Sequence, residues 1–283
     1  MYTINCRGRL IDLSEPKVMA IVNVTPDSFY SGSRCPTTDA ALARADEALA
    51  QGADILDLGA YSTRPGAAEV SADEEWNRLA PVVSELRRRH PQAVISIDTF
   101  RSSVAERAVK AGADIINDVS GGTLDDQMFA TVARLQVPYI LMHMRGTPAT
   151  MQQYTTYNNL VADVIAELSQ QLRRLTDAGV HDVIIDPGFG FAKTLEQNYE
   201  LFAHLSEFSV FDLPLLVGIS RKSMIYKLFD ITPEQSLCGT TALNMLALRG
   251  GASILRVHDV PEAVQVVKMH KMMYESGENL LAD

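Results

Sequence analysis

The sequence predicts a single (β/α)8 barrel, and three observations carry that expectation. Eight short apolar runs each stop abruptly on a polar or glycine residue. Helical patterns fill the gaps between them. The strand ends, from Asn23 to His258, recur about 34 residues apart on average, the length of one βα unit. In such a barrel the C-terminal strand ends converge on the functional site.

The runs are Val18–Val22 before Asn23, Ile55–Leu58 before Gly59, Val94–Ile97 before Asp98, and Ile115–Ile116 before Asn117–Asp118. They continue with Tyr139–Met142 before His143, Val183–Ile185 before Asp186, Leu215–Val217 before Gly218, and Ile254–Val257 before His258. Near-continuous apolar runs are what strands buried on both faces of a parallel sheet require. Helices are expected at Thr38–Gln51, Ala72–Arg89, Ser102–Ala111, Leu124–Leu135, Tyr157–Ala178, Thr194–Phe208, Pro233–Arg249 and Pro261–Tyr274. Thr38, Ser71, Thr194 and Thr232 read as N-caps, and Ser71 with Glu74 has capping-box spacing. Gln51-Gly-Ala-Asp54, Ala111-Gly-Ala-Asp114, Gly250-Gly-Ala-Ser253 and Ala178-Gly179 precede strands, with glycine where a helix turns left-handed. Ahead of the barrel, Tyr2–Asn5 and Arg9–Leu13 flank Arg7–Gly8 as a β-hairpin placed to close the barrel's bottom. Residues 1–283 thus read as one domain, with a hairpin over 1–15 and a frayed tail over 275–283.

A hydrophobic content of 47% supports a sizeable core, and no run reaches the roughly 18 apolar residues of a membrane span. Cys6, Cys35 and Cys238 are too few and too scattered for a disulfide framework or a zinc site, and Met1–Arg7 lacks a signal-peptide core. A reducing cytoplasm is the expected location. A net charge of −10 argues against nucleic acid and anionic membranes as partners, but leaves room for a small anionic substrate met by local Arg and Lys. There is no dinucleotide fingerprint, Walker loop or nucleophile elbow.

Seven segments at the strand ends break local rules. Asn23-Val-Thr-Pro-Asp-Ser-Phe29 opens a long irregular loop. Ser62-Thr-Arg-Pro-Gly66 puts a guanidinium in a turn, a group suited to phosphate or carboxylate. Asp98-Thr99 and Asn117-Asp118 set polar groups directly after apolar strands. These either bond one another and the barrel backbone, or hold a ligand with a donor/acceptor edge such as a pterin, purine or pyrimidine. Asp186-Pro-Gly-Phe-Gly-Phe191 offers a carboxylate, close backbone approach, and a ring face at Phe189 or Phe191. Gly218-Ile-Ser-Arg-Lys-Ser223 enters a helix with Arg221 and Lys222, a place suited to anions. In Arg256-Val-His258-Asp259, strand alternation points Arg256 and His258 to one face. His143, between Met142 and Met144, is the kind of lone strand-end histidine that is more often structural.

Asn23–Phe29, Ser62–Gly66, Asp186–Phe191, Gly218–Met224 and Arg256–Asp259 together resemble the dihydropteroate synthase family, in order, from about Val18 to Val260. The resemblance implies condensation of 6-hydroxymethyl-7,8-dihydropterin diphosphate with p-aminobenzoate by an SN1-like path, with Mg2+ on the diphosphate. It implies Asn23 at the metal–diphosphate, with Thr63, Arg64, Arg256 and His258 as the anion contacts. Asp98, Asn117, Asp186 and Lys222 match the pterin pocket, Met142 and Phe191 its apolar wall, and Arg256 a group stacking on the ring. Asn23, Asp98, Asp186 and Lys222 are the catalytic candidates. Ser220, Arg221 and Lys222 match the p-aminobenzoate side, which Phe29, Thr63 and Pro65 complete. Sulfonamides are implied as competitors of p-aminobenzoate, and a homodimer through the last helices as the assembly.

Two departures stand out. Members often continue the first motif as Phe-Ser-Asp-Gly-Gly, whereas Phe29-Tyr-Ser-Gly-Ser33 puts Ser31 where the loop acid stands. Gly59-Ala-Tyr-Ser-Thr63 replaces a common Gly-Gly-Glu-Ser-Thr. A corrinoid-type pterin-binding methyltransferase shares the barrel and pocket but needs no diphosphate site, so the basic set argues against it. A non-catalytic paralogue has only the altered loop in its favour.

Overall fold

The computed structural model describes residues 2–24, 38–61 and 70–280, with the backbone alone described over 274–280. Strands β1 (Thr3–Cys6) and β2 (Arg9–Asp12) pair antiparallel through a turn in which Arg7 and Gly8 are both left-handed (φ 54° and 83°). Positive φ at both turn residues is what a tight two-residue hairpin needs.

Eight parallel strands follow: β3 (Lys17–Asn23), β4 (Ile55–Gly59), β5 (Val94–Asp98), β6 (Ile115–Asp118), β7 (Tyr139–Met142), β8 (Val183–Asp186), β9 (Leu216–Val217) and β10 (Ile254–Val257). Their order is β8-β7-β6-β5-β4-β3-β10-β9. The Ile185–Leu215 bridge and the Ile185 N–H donating to Pro214 O (2.9 Å) join the two ends, which closes the (β/α)8 barrel. All eight expected runs are strands.

Strand alternation divides the core. Outward residues such as Ala20, Leu56, Ile97, Leu141, Ile185 and Leu255 pack beneath the helices. Inward residues form a separate apolar layer: Met19, Ile55, Val94, Ile115, Ile140, Ile184, Leu216 and Ile254, one from each strand. Ile4, Cys6 and Leu13 of the hairpin join that layer, so the hairpin plugs the bottom of the barrel as expected.

The helices are α1 (Thr38–Ala50), α2 (Ala72–Arg89), α3 (Ser102–Ala111), α4 (Met128–Leu135), α5 (Leu160–Asp177), α6 (Leu195–Ala203), α7 (Ser223–Tyr226), α8 (Leu237–Arg249) and α9 (Val260–Leu280). Several ends differ from expectation. Helix α1 ends at Ala50 rather than Gln51, and α4 starts at Met128 rather than Leu124. Asn159 caps α5 by accepting from Ala162 N (3.1 Å), so the helix does not begin at Tyr157. The expected Thr194–Phe208 helix is α6 followed by a 3-10 turn over Leu205–Phe211, and Pro233–Ser236 is a 3-10 turn ahead of α8. The backbone of α9 is helical to Leu280, into the span expected as the tail. Thr194 forms a full capping box with Gln197, whereas Ser71 caps α2 alone because Glu74 turns to Arg78 (2.9 Å). Gly52, Gly112, Gly179 and Gly251 are left-handed ahead of their strands. Among the described residues, no helix is long and apolar enough to cross a membrane.

Candidate active site

The strand register sets Asn23, Gly59, Asp98 and Asn117 in one row across β3 to β6, at the C-terminal mouth of the barrel. Arg256 reaches that row from β10. Its Nε donates to Asp57 Oδ2 (2.7 Å) and its Nη2 to Asp98 Oδ2 (2.7 Å). Asn117 Nδ2 donates to the same Asp57 oxygen (3.0 Å). One guanidinium therefore bridges two carboxyl groups in the barrel interior. Burial pushes Asp98 up to about 7; Arg256 opposes the shift and the Asp57 carboxylate adds to it.

Asp57 is a site residue that the reading of the strand ends missed. It is 0% exposed and sits inside the apolar run Ile55–Leu58. The available signal was its placement two residues after Ile55 and two before Gly59, on the inward face. Asp118, by contrast, points outward. It accepts from Ser120 N (2.8 Å), Gly122 N (3.0 Å) and Tyr139 Oη (2.6 Å), so it serves the β6 turn.

Asp186 closes β8, and its Oδ1 accepts from Gly188 N (2.8 Å). Burial raises its pKa, while Lys222, the Gly188 N–H and Arg256 hold it down. Lys222 donates to Phe189 O, and its Nζ lies 4.7 Å from the Phe191 ring centroid. Burial pushes Lys222 down to about 8 against the pull of Asp186. Of the two candidate rings, Phe189 is a core residue against Phe202 (5.6 Å). Phe191 is half-buried and packs with Met142, Met144, Met151, Val119 and Ala192 in a small apolar cluster, separate from the barrel core. This gives Asp186 and Lys222 an apolar wall.

Ser220 Oγ accepts from His258 N (3.1 Å) and bonds His258 Nδ1 (3.0 Å). Arg221 adopts a left-handed φ of 56° and pairs with Asp259 through Nε (2.9 Å), bracing this loop to the end of β10. The helix entered there, α7, is a single turn, so the expected help from a helix dipole does not apply and the side-chain charges carry the anion argument. Phe29, Thr63, Arg64 and Pro65 lie outside the described residues, as do Ser31 and Cys35.

His143 is buried and bonds Lys193 Nζ (3.0 Å) and Glu167 Oε2 (3.1 Å). Its partner Lys193 was not anticipated, because a lysine after a glycine-rich turn reads as a solvated residue.

A model of the pterin binding enzyme family matches residues 19–258. The dihydropteroate synthase of Escherichia coli (strain K12) is 42% identical over 275 residues, covering 96% of this chain and 97% of that protein. The Synechocystis enzyme of the same name is 44% identical over 255 residues, covering 89% and 88%. Among solved structures, Yersinia pestis dihydropteroate synthase with a sulfonamide drug superposes with a TM-score of 0.93 at 41% identity, covering 97% of this chain and 100% of that one. Xanthomonas albilineans dihydropteroate synthase with 4-aminobenzoic acid gives 0.89 at 39%, covering 96% and 98%. With near-complete coverage in both directions and the strand-end chemistry in place, the chain belongs to the dihydropteroate synthase family of pterin-binding enzymes.

Proposed function

We propose that this chain condenses 6-hydroxymethyl-7,8-dihydropterin diphosphate with p-aminobenzoate, releasing diphosphate and forming 7,8-dihydropteroate. The observation that carries this reading is the linked polar set of Asp57, Asp98, Asn117 and Arg256 at the barrel mouth, beside Asp186 and Lys222. It supplies acceptors for a pterin's N–H edge, a donor for its carbonyl, and a part-buried cation whose plane suits stacking on a flat ring.

The C–O bond to diphosphate breaks as the pterin methylene becomes cationic, and the arylamine nitrogen then attacks it. Asp186 and Asp98 stabilise charge developing on the ring, an electrostatic contribution made in a low-dielectric site. The arylamine is already a nucleophile, so the only proton to move is the one it sheds after attack. Ser220 fixes His258 beside the basic loop, where imidazole and Lys222 meet the departing anion.

Mg2+ fits this donor set as an ion that arrives with the substrate. Asn23 offers one amide oxygen at the end of β3, and among the described residues no group of three or more His, Cys, Asp or Glu could hold a metal. Mg2+ commonly takes one or two protein ligands and completes its shell with phosphate oxygens and water. Bound there, it would neutralise charge on the leaving diphosphate.

A homodimer through the last helices is part of this reading. Met269, Met272 and Met273 of α9 and Leu246 of α8 are exposed apolar side chains on helices that pack together. Sedimentation as a monomer at micromolar concentration would contradict it. Sulfonamides are expected to compete with p-aminobenzoate at the Ser220 side.

The test is diphosphate release from the pterin diphosphate with Mg2+, with and without p-aminobenzoate. Release that depends on p-aminobenzoate and yields dihydropteroate supports the reading. Pterin binding without release contradicts it, and so does methyl transfer from a reduced folate.

A further inference from the structure

Lys193 is 3% exposed and takes no part in the chemistry above. Its Nζ donates to the carbonyls of Gly188 (2.9 Å) and Phe191 (3.0 Å) and bonds His143 Nδ1 (3.0 Å). Burial pushes Lys193 down to about 7 against the pull of Asp186; in its ammonium form the three protons match these three acceptors, one each. His143 then carries its own proton on Nε2, which faces Glu167 Oε2 (3.1 Å). Burial pushes His143 down to about 4, consistent with a neutral ring accepting from Lys193.

The far end of this chain is also fixed. Arg145 grips Glu167 through Nε (3.0 and 3.1 Å) and lies 3.8 Å over the Tyr157 ring. Tyr157 Oη donates to Ala192 O (3.0 Å), and Ala192 holds a left-handed φ of 49°. Asn198 Oδ1 accepts from Gly190 N (2.6 Å).

Gly188 links this network to the pocket. Its N–H donates to the Asp186 carboxylate while its carbonyl is held by Lys193. A Cβ added to Gly188 would lie 1.9 Å from His143 O, so the residue cannot shift toward that strand end. Phe191 is held by the same ammonium and turns its ring toward Lys222.

We infer that Lys193, braced by His143 and Glu167, is a positioning residue for the pterin side of the site. It fixes the Gly188 and Phe191 carbonyls and so sets the Asp186 carboxylate and the Phe191 ring. Its removal acts on the pterin substrate and leaves the arylamine alone. This rests on the proposed function, which gives Asp186 and Phe191 to the pterin.

The test uses Lys193→Met, close in length and without donors, alone and with Asp186→Asn. Calorimetry with 6-hydroxymethylpterin and steady-state kinetics with both substrates are the readouts, with a thermal melt as the check on folding. Lys193→Met is expected to raise the pterin Kd and the pterin diphosphate KM about tenfold, the scale of one lost charge-assisted hydrogen bond. The KM for p-aminobenzoate should stay near wild type, and the effect should shrink in the Asp186→Asn background because the two act in series. If Lys193→Met does not fold, Glu167→Gln breaks the brace at its half-exposed end and should raise the same single KM by less. Wild-type pterin affinity in Lys193→Met overturns the inference. An equal rise in both KM values, additive with Asp186→Asn, overturns it as well. Wild-type protein that binds no pterin would instead overturn the pocket assignment on which it rests.

Discussion

Two successive layers of inward side chains, two residues apart along the strands, differ in character. The lower layer holds Met19, Ile55, Val94, Ile115, Ile140, Ile184, Leu216 and Ile254. One step up, the same strands present Ile21, Asp57, Ser96, Asn117, Met142, Asp186, Gly218 and Arg256. The lower layer buries apolar surface on itself and on the hairpin and needs no partner. The upper layer buries carboxylates and a guanidinium, which are costly in a low-dielectric interior unless each is matched. The backbone of both layers is the same barrel, so the difference is one of side-chain chemistry: stability below, recognition above.

The largest way to break the comparison is Arg256→Met. Two carboxylates then lose their shared cation, which should cost about 3–5 kcal/mol of stability by urea denaturation. Diphosphate release should fall on the order of 10²–10³-fold, as expected for a removed electrostatic contact. Ile115→Ala attacks the lower layer and should cost about 2–5 kcal/mol through the cavity it leaves. At a temperature where it remains folded, its KM values should match wild type. Gly188→Ala should cost about 1–3 kcal/mol, because the residue holds φ 73° with His143 O in the way, and should weaken pterin binding.

The smallest effect is one of pH. The folded protein holds the Asp98 proton up to about 7, against 3.8 for an ordinary aspartate. The folded state therefore binds more protons than the unfolded one across that window. The Asp98 contribution to stability is fully present below pH 3.8 and is lost as pH rises through about 7. Denaturation midpoints from pH 4 to 8 should fall less steeply in Asp98→Asn than in wild type, while Ile115→Ala should leave the slope unchanged.

The lower layer and most of the upper one were legible in the sequence. Parallel strands buried on both faces write themselves as apolar runs, and a run that stops on Asn, Asp or His marks the mouth. Asp57 was not legible in that way, because it lies inside a run and its partner Arg256 is 199 residues away. Lys193 was hidden for a related reason, since only the folded loop brings the Gly188 and Phe191 carbonyls and the His143 ring around its ammonium. The break after α6 and the turn ahead of α8 were missed where side-chain patterning stays helical while backbone hydrogen bonding tightens into 3-10 turns.

Strand β4 carries both layers, so Ile55→Ala and Asp57→Asn form the most direct test when measured side by side for thermal stability and p-aminobenzoate-dependent diphosphate release. The account predicts that Ile55→Ala melts earlier yet turns over with unchanged KM and kcat. It predicts that Asp57→Asn remains folded and loses about 10²-fold in kcat/KM, as the support of Arg256 and Asn117 fails. Equal catalytic losses in the two variants, or full activity in Asp57→Asn, would contradict the division of the barrel into a stabilising layer and a recognising one.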